Sequence, residues 1–323
     1  MKKLLILLFV AFWAQGAFAQ SLADWAREFP KGDFAVTEIP FREIEFDGNT
    51  RDSIPPIDDP QYIPVADADQ YGEFEPVITV NINGDARAYP LQIMLWHEIV
   101  NDVIGGEPLL VSYCPLCNSG VVFDRRVDGQ LLDFGNTGRI RHLDMVMYDR
   151  QTESWWQQFT GGAIIGELTG LKMELVPSRF ESMSSFRARH PDGLVLVPND
   201  PGARPYGTTP FQGMESFARS SSRFNQWPLP EGVNATQYMV VANGRAWPVE
   251  RIREAGILEE AGLTFEWTGE IRNSLHDSRQ ISRGRELSNI VVKNPDGSDA
   301  PHDIVFAFSF SAFVPDGEWM LGN

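Results

Sequence analysis

Residues that break regular structure recur so closely along this chain that it is confined to short strands and short helices. Its 323 residues include 28 glycines and 22 prolines, which mark turns between the apolar runs. The clearest unit is "PVITVNINGDARAYPL". Val77, Thr79 and Asn81 alternate with Ile78, Val80 and Ile82, and Asn83-Gly84 is a strong hairpin turn. After Pro90 the spacing changes. Leu91, Leu95, Ile99 and Val103 recur at helical intervals as far as Gly105-Gly106, which predicts one helix across the stretch. "PLLVSY" then reads as a strand delivering Cys114, and "GVVFDRRVDGQLLDFG" as a hairpin about Asp128-Gly129.

Two strings return in the same order. "VNINGDARAYPL" at 80–91 is echoed by "VVANGRAWPV" at 240–249, and "FRARHPDG" at 186–193 by "FSAFVPDG" at 310–317. The echo predicts a degenerate internal duplication. The expected fold is α+β and β-rich, with short twisted strands, a few short helices and two degenerate repeats packed as one globule. The expected divisions are a leader at 1–19, an irregular lead-in at 20–75 and a first repeat at 76–198. A Pro/Gly/Ser-rich surface excursion follows at 199–233, then a second, structural repeat at 234–323.

The leader, "MKKLLILLFVAFWAQGAFA", joins two lysines to an apolar run and a small-residue triplet. That is the pattern of a secretory signal peptide cleaved after Ala19, so a periplasmic location is expected. No later stretch reads as a membrane span. The formal net charge is −17, and losing Lys2 and Lys3 with the leader takes it to −19. Such an acidic chain repels phosphate backbones, which disfavours nucleic acid as a partner.

The chain has only two cysteines, Cys114 and Cys117, in "SYCPLCNSG". A disulfide between them closes a very small loop and removes little unfolded-state entropy, and a chain this long does not need a staple. A thioredoxin fold is disfavoured because "GVVF" continues as a strand where that fold starts a helix. His97, on the predicted helix just ahead, is the natural partner for the sulfurs, and Asn101 shares its helical face. Two thiolates and an imidazole suit zinc or copper, and Met145 and Met147 alternate nearby on a strand, so Met147 joins the ligand set for copper. Trp155 and Trp156 stand side by side on another strand, where one of them can line a groove.

At these residues the chain resembles the DUF3179 family. The matching words are "INGDARAYPLQIMLWHEIVND", "SYCPLCNSGVVFDR", "MVMYDRQTESWWQQFTG" and "FRARHPDG", within about Val77 to Val197. In some members of that family a cysteine of the "YCPLC" motif is a selenocysteine. The resemblance therefore implies redox or nucleophilic chemistry at Cys114 or Cys117. His142 departs from the pattern expected of many relatives, so it carries no implied role.

Three readings follow. The first is an exported thiol-redox protein in which Cys114 and Cys117 cycle between dithiol and disulfide, with His97 tuning the thiolate. The second is a copper- or zinc-binding or delivery protein using Cys114, Cys117, His97 and Met147. The third is a non-catalytic module that presents Trp155 and Trp156 to a partner or glycan. The expected partner is a small molecule or a periplasmic redox or metal-carrying protein.

Overall fold

The computed structural model describes residues 22–322, so the expected leader lies outside the described residues. Five sheets of three to five strands make up the body, in a propeller-like arrangement with short helices between them. The hairpin Pro76–Ile82 and Asp85–Pro90 forms as its alternation requires, with Asn83 and Gly84 both at positive φ in the turn. Pro90 caps a helix of seven residues, Leu91–His97. Its fixed φ of −61° suits the step from strand to helix.

The helix ends much earlier than the apolar spacing predicts. Glu98 is left-handed at φ 58° and its N–H closes the last turn on Met94 O. Ile99–Ile104 is then a strand, paired with Glu107–Cys114 through a turn at Gly105-Gly106. Ile99, Val100, Val103 and Ile104 are β-branched, and the ladder outweighs a helical spacing that two of them share with Leu91 and Leu95.

The two echoed segments occupy matching places. Around the first hairpin the strand order is Arg179–Ser182, Pro76–Ile82, Asp85–Pro90, Leu194–Val197, Gln61–Pro64, and Asp85–Pro90 pairs with Leu194–Val197 in parallel. Around the second it is Asp303–Phe306, Tyr238–Ala242, Arg245–Pro248, Glu318–Trp319, and again the hairpin's second strand pairs with its outer neighbour in parallel. Pro248 also caps a seven-residue helix, Val249–Ala255. Each helix leads into an antiparallel set: Ile99–Ile104, Glu107–Cys114 and Ser119–Asp124 in one case, Ile257–Glu260, Leu263–Arg272 and Glu286–Lys293 in the other. The remaining sheet runs Ile44–Phe46, Phe134–Arg141, Asp144–Asp149, Trp155–Gln157, Ala163–Ile165, and all of it but the edge strand Ile44–Phe46 is inserted after Ser119–Asp124.

One hydrophobic cluster extends from Ile57 to Phe308 and takes in both halves. A smaller one gathers Trp25, Phe29 and Trp155. The excursion at 199–233 is more than a surface loop. It carries the helix Met214–Ser220, and Met214, Ala218 and Phe224 join the main cluster. Among the described residues no helix is long and apolar enough to cross a membrane.

Candidate functional site

Cys114 closes the strand Glu107–Cys114, and Cys117 lies in the turn that leads to Ser119–Asp124. Cys114 pairs across the ladder with Ser119, so the turn is the tip of a two-stranded arm. Asn118 takes a left-handed φ of 57° to complete it. The second half of the chain holds this tip in place. Phe306 N–H donates to Cys117 O at 2.9 Å, and Asn118 Nδ2 donates to Ile304 O at 2.7 Å. Asp303 accepts from Ser119 Oγ and, at 3.0 Å, from Gly120 N–H.

Both thiols are free and buried, but their surroundings differ. Cys114 lines a cavity of about 320 Å³ together with Glu98, Asn136 and Met145, and Cys117 does not. Cys117 Sγ donates to Asp144 Oδ1 at 3.0 Å. Asp144 is itself fully buried. Its other oxygen, Oδ2, already accepts from Gln157 Nε2 at 2.6 Å and Phe159 N–H at 2.9 Å, which leaves Oδ1 to the thiol. A bulge between Asn136 and Arg139 brings both side chains to the cavity. Gly138 permits this at φ +68°, where an added Cβ would stand 2.3 Å from Asn49 O.

Burial raises the pKa of both thiols, of Asp144 and of Glu98. Desolvation pushes the Cys114 thiol up and the Cys117 thiol well up. It raises Asp144 against its three hydrogen bonds, and pushes Glu98 up to about 8 with help from Asp47. Glu98 Oε2 accepts from Asn136 Nδ2 at 2.8 Å. Arg139 borders the cavity, but its guanidinium is turned to Glu28 Oε2 and backbone carbonyls. Both thiols are therefore protonated at rest, and a carboxylate is the proton acceptor within reach of Cys117.

His97 is not brought to the sulfurs. Its Nδ1 lies 2.8 Å from Pro55 O and its Nε2 2.9 Å from Tyr206 OH, and its ring stacks on Tyr206. The left-handed turn at Glu98 sends the chain off in a new direction, so closeness in sequence does not become contact. Asn101 leaves the helix altogether and bonds the backbone of Phe134. Met145, not Met147, borders the Cys114 cavity; Met147 is buried opposite Asn136 and Trp156. His142 pairs with Glu43 and packs on Trp227. Trp155 and Trp156 are both fully buried, the first against Trp25 and Phe29 and the second donating to Asp149. No face of either is open to a glycan or a partner.

Tyr206 and Thr208, which accepts from Trp96 Nε1, tie down the start of the excursion, and Phe211, Met214 and Phe224 from it wall the cavity. His97 thus acts on the cavity through this strap. His97→Ala is expected to speed proteolytic cleavage within 199–233 and alkylation of Cys114 by several-fold. Unchanged rates of both would show that the strap is held elsewhere.

Of the residues that complete the site, Glu98 and Gln157 stand out in the sequence only as polar neighbours of His97 and of the paired tryptophans, and Asp144 is not singled out. One local signal for Asp144 exists: a carboxylate between Leu143 and Met145 at the head of the strand Asp144–Asp149.

A family model described as "Protein of unknown function (DUF3179)" matches residues 51–317. No curated protein and no solved structure matches the chain. The matched span covers the cysteine turn, the first hairpin sheet, and the other two sheets apart from their edge strands Ile44–Phe46 and Glu318–Trp319.

Proposed function

The chain belongs to the DUF3179 family, and since that membership supplies no reaction, we propose from the site itself that it is an exported thiol–disulfide oxidoreductase. The carrying observation is the asymmetry of the pair: Cys114 borders a cavity, while Cys117 sits behind it on Asp144 Oδ1. In the proposed cycle Cys114 attacks a substrate disulfide, its proton passes to the departing sulfur, which leaves as one thiol, and a mixed disulfide forms. Cys117 then attacks Cys114 Sγ as its proton passes to Asp144. The second substrate sulfur takes that proton from Asp144 as it leaves as a thiol, and a Cys114–Cys117 disulfide remains. The substrate gains two electrons and the protein dithiol loses them; an external dithiol restores the resting state. The His97 role expected from sequence passes to Asp144.

Cys114 lies only 1% exposed beneath a cavity of about 320 Å³. This favours a small disulfide over one on a folded protein surface. The test is a trap. Cys117→Ser is expected to accumulate a stable adduct of a small aromatic disulfide on Cys114, seen by intact mass. Cys114→Ser is expected to accumulate none. A dithiol that cannot be oxidised and reduced reversibly in the folded protein would remove this reading.

One observation favours the metal reading as well. The Sγ atoms of Cys114 and Cys117 and an oxygen of Asp144 all lie within 4.8 Å of one another. Two sulfurs and a carboxylate suit zinc better than Cu(I). This changes the ligand set expected from sequence, with Asp144 in place of His97 and Met147. Zinc would neutralise thiolates that burial otherwise suppresses. Metal titration of the reduced protein, with Asp144→Ala as control, separates the readings.

Two further proposals concern the chain as a whole. Residues 1–19 act as a cleaved leader, so mature protein recovered from the periplasm should begin at Gln20. The halves at 76–198 and 234–323 are degenerate repeats, a reading supported by the matching order of four strands, the parallel pairing of each hairpin's second strand, and the proline-capped helix in each.

A further inference from the structure

The rim of the Cys114 cavity carries two aromatic rings that the fold leaves in the open. Phe46 is 63% exposed and Phe217 57%, the two most exposed aromatic side chains among the described residues. Both border the same cavity as Cys114. They come from segments far apart in the chain: Phe46 ends the edge strand Ile44–Phe46, and Phe217 lies on the helix Met214–Ser220. A single exposed phenylalanine needs no explanation, but two that converge on one cavity beside a thiol mark a binding rim.

Each ring is held from behind. Phe46 pairs across the ladder with Arg139, whose guanidinium carbon stands 5.0 Å from the ring centroid. Phe217 meets Phe224 edge-on with centroids 6.2 Å apart, and Phe224 is buried in the cavity wall. Rings fixed in this way lose little freedom when a ligand packs on them. Leu116 of the cysteine turn, Leu143 and Met145 add apolar surface to the same wall.

Resting on the oxidoreductase reading of Cys114, we infer that its substrate is a small, uncharged disulfide with an aromatic substituent, which packs on Phe46 and Phe217 while Cys114 Sγ takes one of the two sulfurs. Cys114 Sγ joins that sulfur, the substrate S–S bond breaks, and the departing sulfur leaves as a thiol with the Cys114 proton. Charge separates this class from its neighbours. An anionic disulfide finds no free cation among the described residues of the rim, because Arg139 is engaged by Glu28 and Arg223 by Glu45 at 2.8 Å. The net charge of −17 repels it further. A cationic disulfide would give up its hydration beside the apolar wall, where burial holds Glu98 neutral and, of the lining acids, only Asp47 is left to face it.

The test follows adduct formation on Cys114 in the Cys117→Ser full chain by intact mass. The probes are benzyl 2-hydroxyethyl disulfide, bis(2-hydroxyethyl) disulfide, oxidised glutathione and cystamine. Each rate is divided by that of N-acetylcysteine with the same probe, which removes intrinsic reactivity. The benzyl compound is expected to react about tenfold faster than the hydroxyethyl one, the discrimination that burial of an added apolar group supplies, with the two charged probes last. Phe46→Ala combined with Phe217→Ala is expected to erase the benzyl preference. Both side chains are exposed, so the core has reason to survive; should that variant fail to fold, the ratio in the Cys117→Ser chain decides alone. Equal normalised rates, or a charged probe the fastest, with adduct still forming on Cys114, would overturn the substrate class and leave the thiol chemistry standing. No adduct with any probe would remove both.

Discussion

Asp144→Asn is expected to stall the protein as a mixed disulfide. Asparagine cannot take the Cys117 proton, and removing a positioned general base slows the assisted step by roughly 10²–10⁴. In the proposed cycle the first attack, by Cys114, is made from the cavity side and passes its proton to the departing sulfur rather than to Asp144. The adduct should therefore form and persist, where in the unaltered chain it resolves to the internal disulfide. Quenched-flow mass spectrometry with a small disulfide follows both species. Disulfide closure at an unaltered rate would take Asp144 out of the mechanism. The substitution keeps the size of the group, and its carbonyl oxygen can still accept from Gln157 and Phe159 N–H, so the fold has reason to survive.

Stability should fall as pH rises above neutrality, against the expectation for an ordinary acidic protein. Burial raises Glu98 to about 8, and Glu75 and Asp303 each to about 7, from ordinary values of 4.5, 4.5 and 3.8. A raised folded-state pKa means that the fold favours the protonated form. The contribution is complete below the unfolded pKa and is lost as pH climbs through the folded one. Between pH 6.5 and 8.5 Glu98 alone accounts for a loss on the order of 2 kcal/mol. Burial lowers the pKa values of His97, His142, His190 and His302 below 6.5, so their penalties fall on the acid side of this window. Urea unfolding at pH 6.5, 7.5 and 8.5 reads the slope. Glu98→Gln keeps an acceptor for Asn136 and should flatten it. A native state whose stability holds or climbs over that interval would mean that Glu98 is ionised in the fold.

The parts legible in the sequence were those set by neighbours along the chain. Alternation from Val77 to Ile82 with Asn83-Gly84 is a complete local instruction, and the hairpin follows it. The cysteine turn at a strand end is likewise local. The same reading placed Ile99 and Val103 in a helix, because residues four apart repeat in register with Leu91 and Leu95. Only the partner strand Glu107–Cys114 decides between ladder and helix there. Composition marked 199–233 as a surface excursion, yet Met214 and Phe224 within it find the core. The site was legible to the level of the two cysteines. Asp144 belongs to a different sheet and reaches Cys117 only through tertiary packing. His97 is near in sequence and turned away by one left-handed residue. Contacts of this kind depend on the direction of the chain after each turn, which spacing does not encode.

The hold of Asp303, Ile304 and Phe306 on the cysteine turn sets an order of events during synthesis. The turn emerges long before the residues that secure it. Until residue 306 is in place, Asn118 and Ser119 lack their partners, and Cys114 and Cys117 belong to a loose tip. In an oxidising compartment two thiols three positions apart can join before the fold is finished. The newborn protein would then enter service already oxidised, and its first encounter would be with a reductant rather than with a substrate.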